Sequence, residues 1–196
     1  MSRSIDREAR KEQLAEAVWQ IILDKGIGAV SVRTVADRAG LAVGSLRYIF
    51  PTRTELLRFS AELMVERATA RVLATPWHDD PAEYALAVIT RLLPRDPDTR
   101  AELEINLALV GECPAEPALV GIRNRAHEQL LAVFTRLVEL LTHESLPDEV
   151  VVPLARRLHA LTDGLALHLL HREPGDVDGA LELIRDEIAR IARTAP

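Results

Sequence analysis

Between Val32 and Ile49 the chain sets two short, apolar-anchored segments on either side of Gly40, and that spacing leaves few folds open. A helix-turn-helix corner needs two short helices that cross steeply over a tight turn. Glycine takes the positive φ of such a turn without the clash that a Cβ would bring. Ala36 supplies the small residue at the crossing, Val35 an apolar anchor beside it, and Leu41 a plug for the turn. Leu46 and Ile49, three apart, define the inner face of the second helix. Val43, Gly44, Ser45, Arg47 and Tyr48 are then left pointing outward.

The flanking segments carry the same helical punctuation. Leu14, Val18, Ile21 and Ile22 recur at three- and four-residue spacings, which predicts an amphipathic helix over Asp6 to Lys25, closed by Gly26 in a left-handed conformation. Ser31 is placed to cap a helix over Val32 to Ala39, and a second runs from Val43 to Ile49. Pro51 stops that helix, Thr52 caps the next, and Arg53 to about Leu73 reads as a long helix. Further helices are expected from Pro81 to near Pro94, from an Asp98 cap to about Val110, and from Ala118 to Leu141. The last two are expected over Glu149 to His171 and Val177 to Ala192, separated by Pro174-Gly175-Asp176. Gly111 to Pro117 reads as a loop or kink. No strand signal of useful length appears, so the expected fold class is all-α with about nine helices. The expected domains are a helix-turn-helix domain over residues 1–52 and a larger helical domain over 53–196, with 53–73 as the connecting helix.

Composition narrows the setting. No apolar run reaches about 18 residues, so no membrane partner is expected. The first residues carry charge but no apolar core of a secretory signal, and Cys113 is the only cysteine, so a reducing cytoplasm is expected. The net charge of −6 is unevenly spread: residues 1–75 hold 12 basic and 9 acidic side chains, the remainder 12 and 21. A basic first part on an acidic body fits a polyanion met by the N-terminal region.

The outward residues of the corner have the chemistry for that polyanion. Arginine bonds guanine edges or phosphate, serine bonds either, and a tyrosine hydroxyl reaches a phosphate oxygen. Gly44 and Ser45 at a helix start permit close backbone approach. Double-stranded DNA is the expected partner, and a two-fold operator calls for two reading heads and hence a homodimer.

The segment Val30-Ser-Val-Arg-Thr-Val-Ala-Asp-Arg-Ala-Gly-Leu-Ala-Val-Gly-Ser-Leu-Arg-Tyr-Ile-Phe-Pro-Thr-Arg-Thr-Glu-Leu-Leu57 resembles the DNA-binding domain of the tetracycline-repressor (TetR) family. The stretch Gly-Ser-Leu-Arg-Tyr-x-Phe-Pro is similar to the branch whose C-terminal domain is BetI-like. The resemblance implies base contacts from Val43, Gly44, Ser45 and Arg33, with Thr34 beside it. It implies phosphate contacts from Tyr48 and from Thr52 and Arg53 at the start of the following helix, where the dipole favours an anion. Many members carry Tyr where this chain has Arg47, which leaves open whether Arg47 meets base or phosphate. The implied activity is repression relieved by a small-molecule effector.

The C-terminal part carries two expectations of its own. Leu158, Leu161, Leu165 and Leu169 form a stripe on one helix and Leu181, Ile184 and Ile188 a matching stripe on the last, a candidate dimer interface. Leu63, Met64, Trp77, Tyr84, Leu103, Asn106, Leu107 and Phe134 are the candidate lining of an effector pocket. His168 and His171 share a helical face but lack further ligands at metal spacing, so no metal or cofactor is expected. No nucleophile elbow or phosphate-cradling glycine loop occurs, which leaves a helical enzyme, or a partner-binding scaffold without DNA, as the alternatives.

Overall fold

The computed structural model describes residues 2–144, 146–173 and 177–194, with residues 2–8 described by backbone alone. Nine α-helices occur among them: α1 (Ser2–Lys25), α2 (Val32–Arg38), α3 (Val43–Ile49), α4 (Arg53–Leu73), α5 (Pro81–Thr90), α6 (Pro97–Glu112), α7 (Val120–Leu141), α8 (Asp148–Leu169) and α9 (Asp178–Ala192). Short 3-10 turns, Ile27–Ala29 and Pro117–Leu119, precede α2 and α7. No strand occurs among the described residues, as the all-α expectation requires.

Several boundaries differ from the sequence expectation: α1 begins at Ser2 and not Asp6, α8 ends at Leu169 and not His171, and those of α5 and α6 have physical reasons. α5 stops at Thr90, well short of Pro94. A proline disfavours helical geometry at the residue before it, and residues 91–93 pass into tighter bonds such as Arg91 N–H to Val88 O at 3.0 Å. α6 is capped by Asp96 and not Asp98: Thr99 N–H donates to Asp96 Oδ1 at 2.8 Å, while Asp96 N–H donates to Thr99 Oγ1 at 3.1 Å. Pro97 then takes the first helical position, where its missing N–H is harmless. α6 also runs through Gly111 to Glu112 before the chain turns. The expected break at Pro174-Gly175-Asp176 lies outside the described residues.

The chain forms two compact units, Met1–Arg67 with Ala101–Arg125, and Ala68–Arg100 with Ala126–Pro196. In the first, Leu14, Val18, Ile21 and Ile22 of α1 meet Val35 and Ala36 of α2, Leu46 of α3, and Leu56 and Leu57 of α4 in one buried cluster. Ile105, Leu109, Cys113, Leu119 and Ile122 belong to the same cluster. Removing one such leucine leaves a cavity at a cost of about 2–5 kcal/mol.

In the second unit α5 and α8 both pack on α9. Phe134, Leu158, Ile184 and Ile191 are fully buried there. A carboxylate clips α9 to α8: Glu187 accepts from Arg157 Nε at 2.9 Å and from Arg190 Nε and Nη2 at 2.8 and 2.6 Å. Hydrogen bonds from Arg190 hold the Glu187 carboxyl below its ordinary range against the opposing effect of burial. Arg100 Nη2 donates to the carbonyls of Leu170 and Arg172, occupying acceptors left open past the end of α8. Among the described residues no helix is long and apolar enough to cross a membrane.

Candidate nucleic-acid interface

The corner is built by local bonds that its sequence supplies. Ser31 Oγ accepts from Thr34 N–H at 3.1 Å, and Thr34 Oγ1 accepts from Ser31 N–H at 2.9 Å, a reciprocal cap that starts α2. The Thr34 hydroxyl also donates to Ala29 O at 2.8 Å. Past the end of α2, Gly40 sits at φ +66° and Leu41 N–H reaches back to Ala36 O at 2.9 Å. A Cβ on Gly40 would meet no atom within 4 Å, so backbone conformation and not space selects glycine there.

α3 is held by its inner face. Leu46 is fully buried, while Ile49 and Val43 are half-buried against the same cluster. Val43, expected to point outward, is therefore partly a packing residue. Gly44, Ser45, Arg47 and Tyr48 face solvent, and Tyr48 is 84% exposed, unusual for an aromatic side chain. Arg33, on α2, is exposed as well. Neither Arg33 nor Arg47 has an ion-pair partner among the described residues, whereas Arg38 is paired with Asp24 at 2.5 Å and Arg58 with Glu62 at 3.3 Å. The surface thus offers two uncommitted guanidiniums, a serine, a tyrosine and a helix start bare of side chain at Gly44.

Three residues assigned to DNA by resemblance are engaged within the fold. The Thr34 hydroxyl is consumed at the start of α2. Thr52 forms a cap of its own, with its N–H on Glu55 Oε2 at 3.1 Å and its hydroxyl accepting from Glu55 N–H at 3.2 Å. Arg53 donates from Nε to Val30 O at 3.0 Å, and from Nη2 to Ile27 O at 3.1 Å and Glu112 Oε1 at 2.8 Å. Its acceptors lie 23 to 59 residues away, a distance in sequence that no local signal reports.

The other predicted sites divide between the units. Leu63 and Met64 are buried in the first unit, where Leu103 is half-buried and Asn106 and Leu107 are exposed. In the second, Trp77 and Tyr84 meet in a tilted pair with centroids 4.8 Å apart, and Phe134 is buried. The sequence reading missed His159, which is buried and stacked at 4.8 Å on Phe134 and at 5.3 Å on His127. Burial pushes its pKa below the ordinary 6.5, although the Asp163 carboxylate opposes this from 3.4 Å. Its position on the apolar face of α8 was the available signal.

Burial divides the residues of the expected interface stripe. Leu158, Leu169, Ile184 and Ile188 are buried within the single chain. Leu161, Leu165 and Leu181 are half-buried, and the apolar surface is extended by Leu167 and Leu183, 43% and 51% exposed. A groove of about 730 Å³ opens among Leu165, Leu167, His168, His171, Gly179 and Leu183. The two histidines rim this groove, and no group of three potential metal ligands occurs among the described residues.

Comparison with known proteins agrees with this geometry. Residues 14–58 match the family described as bacterial regulatory proteins of the tetR family. Residues 81–193 match the C-terminal domain described as BetI-type transcriptional repressor. The HTH-type transcriptional regulator PksA of Bacillus subtilis (strain 168) is 33% identical over 175 residues, 87% of this chain and 83% of that protein. A crystal structure of a transcriptional regulator from Rhodococcus sp. Rha1 superposes with a TM-score of 0.81 at 25% identity, covering 94% of this chain and 97% of that one. The multidrug binding protein EbrR, crystallised with ethidium, has a TM-score of 0.67 at 25% identity, covering 93% of this chain and 98% of that one. This chain belongs to the TetR family of bacterial transcriptional regulators, with a BetI-type C-terminal domain.

Proposed function

We propose that the protein is a cytoplasmic repressor that binds a pseudo-palindromic operator as a homodimer, with α3 of each protomer in a major groove. The observation that carries this is the division of α3 into a face locked by Leu46 and a face presenting Gly44, Ser45, Arg47 and Tyr48 to solvent. A rigid short helix with small residues at its start lets the backbone approach the base edges. Arg33 and Arg47 supply charge for phosphate or guanine, and the Tyr48 hydroxyl reaches phosphate. Two heads follow from apposition of α8 and α9 through Leu161, Leu165, Leu167, Leu181 and Leu183, a patch of half-buried and exposed apolar side chains that favours self-association.

Release is assigned to a small, partly apolar effector taken up by the C-terminal helical domain, with Trp77, Tyr84 and Phe134 as candidate contacts. The likeness to EbrR, crystallised with ethidium, supports an effector of that size. The function needs no catalytic group and no cofactor. Coupling of about 1–3 kcal/mol between effector and operator would change affinity about 5- to 150-fold.

A gel shift with Tyr48→Ala and Arg47→Gln tests the contact face. On a duplex selected by the wild-type protein, each variant is expected to bind about 5- to 150-fold more weakly, in line with about 1–3 kcal/mol per good contact. Unchanged affinity in both would remove α3 from the interface. Equal operator affinity across a library of apolar and cationic compounds would remove the effector switch.

A further inference from the structure

We infer that Arg53 and Glu112 are positioning residues for the reading helix, so that Arg53 acts on operator binding through the protein and not through a phosphate. The inference rests on the operator-binding role proposed above and assigns a structural part to two of its residues. The helix-turn-helix has an entry, the segment Ile27–Ser31 before α2, and an exit, the segment Phe50–Arg53 after α3. One guanidinium joins them: Arg53, at the first position of α4, donates to the carbonyls of Val30 and Ile27 at 3.0 and 3.1 Å. The same Nη2 reaches Glu112 Oε1, in the last turn of α6, at 2.8 Å. The neighbouring residue repeats the link, Thr54 Oγ1 donating to Glu116 Oε2 at 2.8 Å.

The chemistry of these contacts separates positioning from phosphate binding. The carbonyls of Val30 and Ile27 are fixed backbone acceptors that need a forked, planar donor set to be met together with a carboxylate, which arginine has and lysine lacks. Glu112 is 17% exposed and Arg53 32% exposed, so the pair is partly withdrawn from water and less screened than a surface ion pair. A phosphate meeting Arg53 would find Nε and Nη2 already committed and the charge countered by a carboxylate. Arg33 and Arg47 present no such obstacle. The residue at the head of α4 therefore sets the angle at which α3 leaves the core, and Glu112 makes that setting depend on α6.

Salt-dependent binding distinguishes the two roles, because each phosphate contact adds about 0.9 to the slope of log affinity against log salt on double-stranded DNA. The probe is a fluorescent duplex selected by the wild-type protein from a random-sequence pool, titrated at several salt concentrations. Arg53→Met and Glu112→Gln are each expected to weaken binding about 3- to 30-fold with the wild-type slope retained, and the double variant to lose little more than the weaker single. Arg47→Gln is expected to lower the slope by about 0.9 where Arg47 meets a phosphate and to relax sequence preference where it meets a base. Arg53→Lys keeps the charge but loses the fork, and its affinity is expected to fall with the slope unchanged. The inference is overturned by an Arg53→Lys protein that binds like wild type, or by Arg53→Met lowering the slope by about one while Glu112→Gln leaves affinity unchanged or raises it. Thermal unfolding of each variant identifies a misfolded protein, in which case Arg53→Lys and Glu112→Gln decide the matter. Failure of the wild-type chain to select any sequence would instead overturn the operator-binding role itself.

Discussion

Gly44 is the residue whose identity the fold explains least and the proposed function explains best. A Cβ there would meet no atom within 4 Å, and its φ is not in the left-handed region. Glycine inside a helix is less favourable than alanine by about 1 kcal/mol, so nothing in the protomer selects it. Gly44→Ala is expected to leave the thermal midpoint unchanged or slightly raised while operator affinity falls at least about tenfold, as an added methyl holds the helix start off the base edges. Unaltered binding would show that no close approach occurs at this position. Residue identities of this kind were legible in the sequence wherever the cause is local. Gly40, Gly26 and the Ser31 cap read correctly because turn and cap chemistry acts within a few residues. Arg53 and His159 did not, because their partners come from other helices and arrive only with the fold.

Helices were legible as elements, and their ends less so. The three- and four-residue spacing of apolar side chains located α1, α3, α8 and α9, and proline, glycine and cap residues marked the others. Ends depend on competing caps: Asp96 and Asp98 both precede helical positions, and the choice falls to Asp96 because Pro97 and Thr99 complete its cap. Which face of α8 turns inward was not legible, because the helix is apolar over most of its circumference. Periodicity cannot rank faces when nearly all are apolar. The contact between α8 and α9 gives a pH test. The Glu187 carboxyl is held below its ordinary value of 4.5, chiefly by hydrogen bonds from Arg190, so its contribution is present in full above that value. It is lost as pH falls through the lower, folded-state value, because protonation releases both arginines. Glu187→Gln is expected to cost about 1.5–3 kcal/mol at pH 7, the range for hydrogen bonds to a charged group. That difference should shrink steadily in unfolding experiments from pH 5 to pH 2. A constant difference over this range would mean that packing, not charge, sets the effect.

At the scale of the whole molecule, residues 101–125 join the unit that contains the helix-turn-helix, and no shift in composition announces this. The boundary expected near position 52 rests on proline and cap residues, which mark an end of local structure. The boundaries between the two units fall within α4, α6 and α7, so each of these helices contributes residues to both. The proposed dimer belongs to this scale too. Leu183 is 51% exposed on α9, and burying a leucine contributes about 1.5–3 kcal/mol per side chain. Leu183→Glu is expected to shift the protein toward monomer in sedimentation experiments and to weaken operator binding with it, as each head then binds alone. A dimer of unchanged strength would place the self-association surface elsewhere.

The most direct measurement is the affinity of the intact protein for its selected duplex against a scrambled duplex of the same length and composition, at about 0.15 M salt. Specific regulators bind their sites about 10³- to 10⁷-fold more tightly than other DNA. The expected result is a preference of at least about a thousandfold, which Tyr48→Ala leaves largely intact while weakening binding to both duplexes, because a phosphate contact carries no sequence information. Equal affinity for the two duplexes would contradict the reading of α3 as an operator-recognition helix.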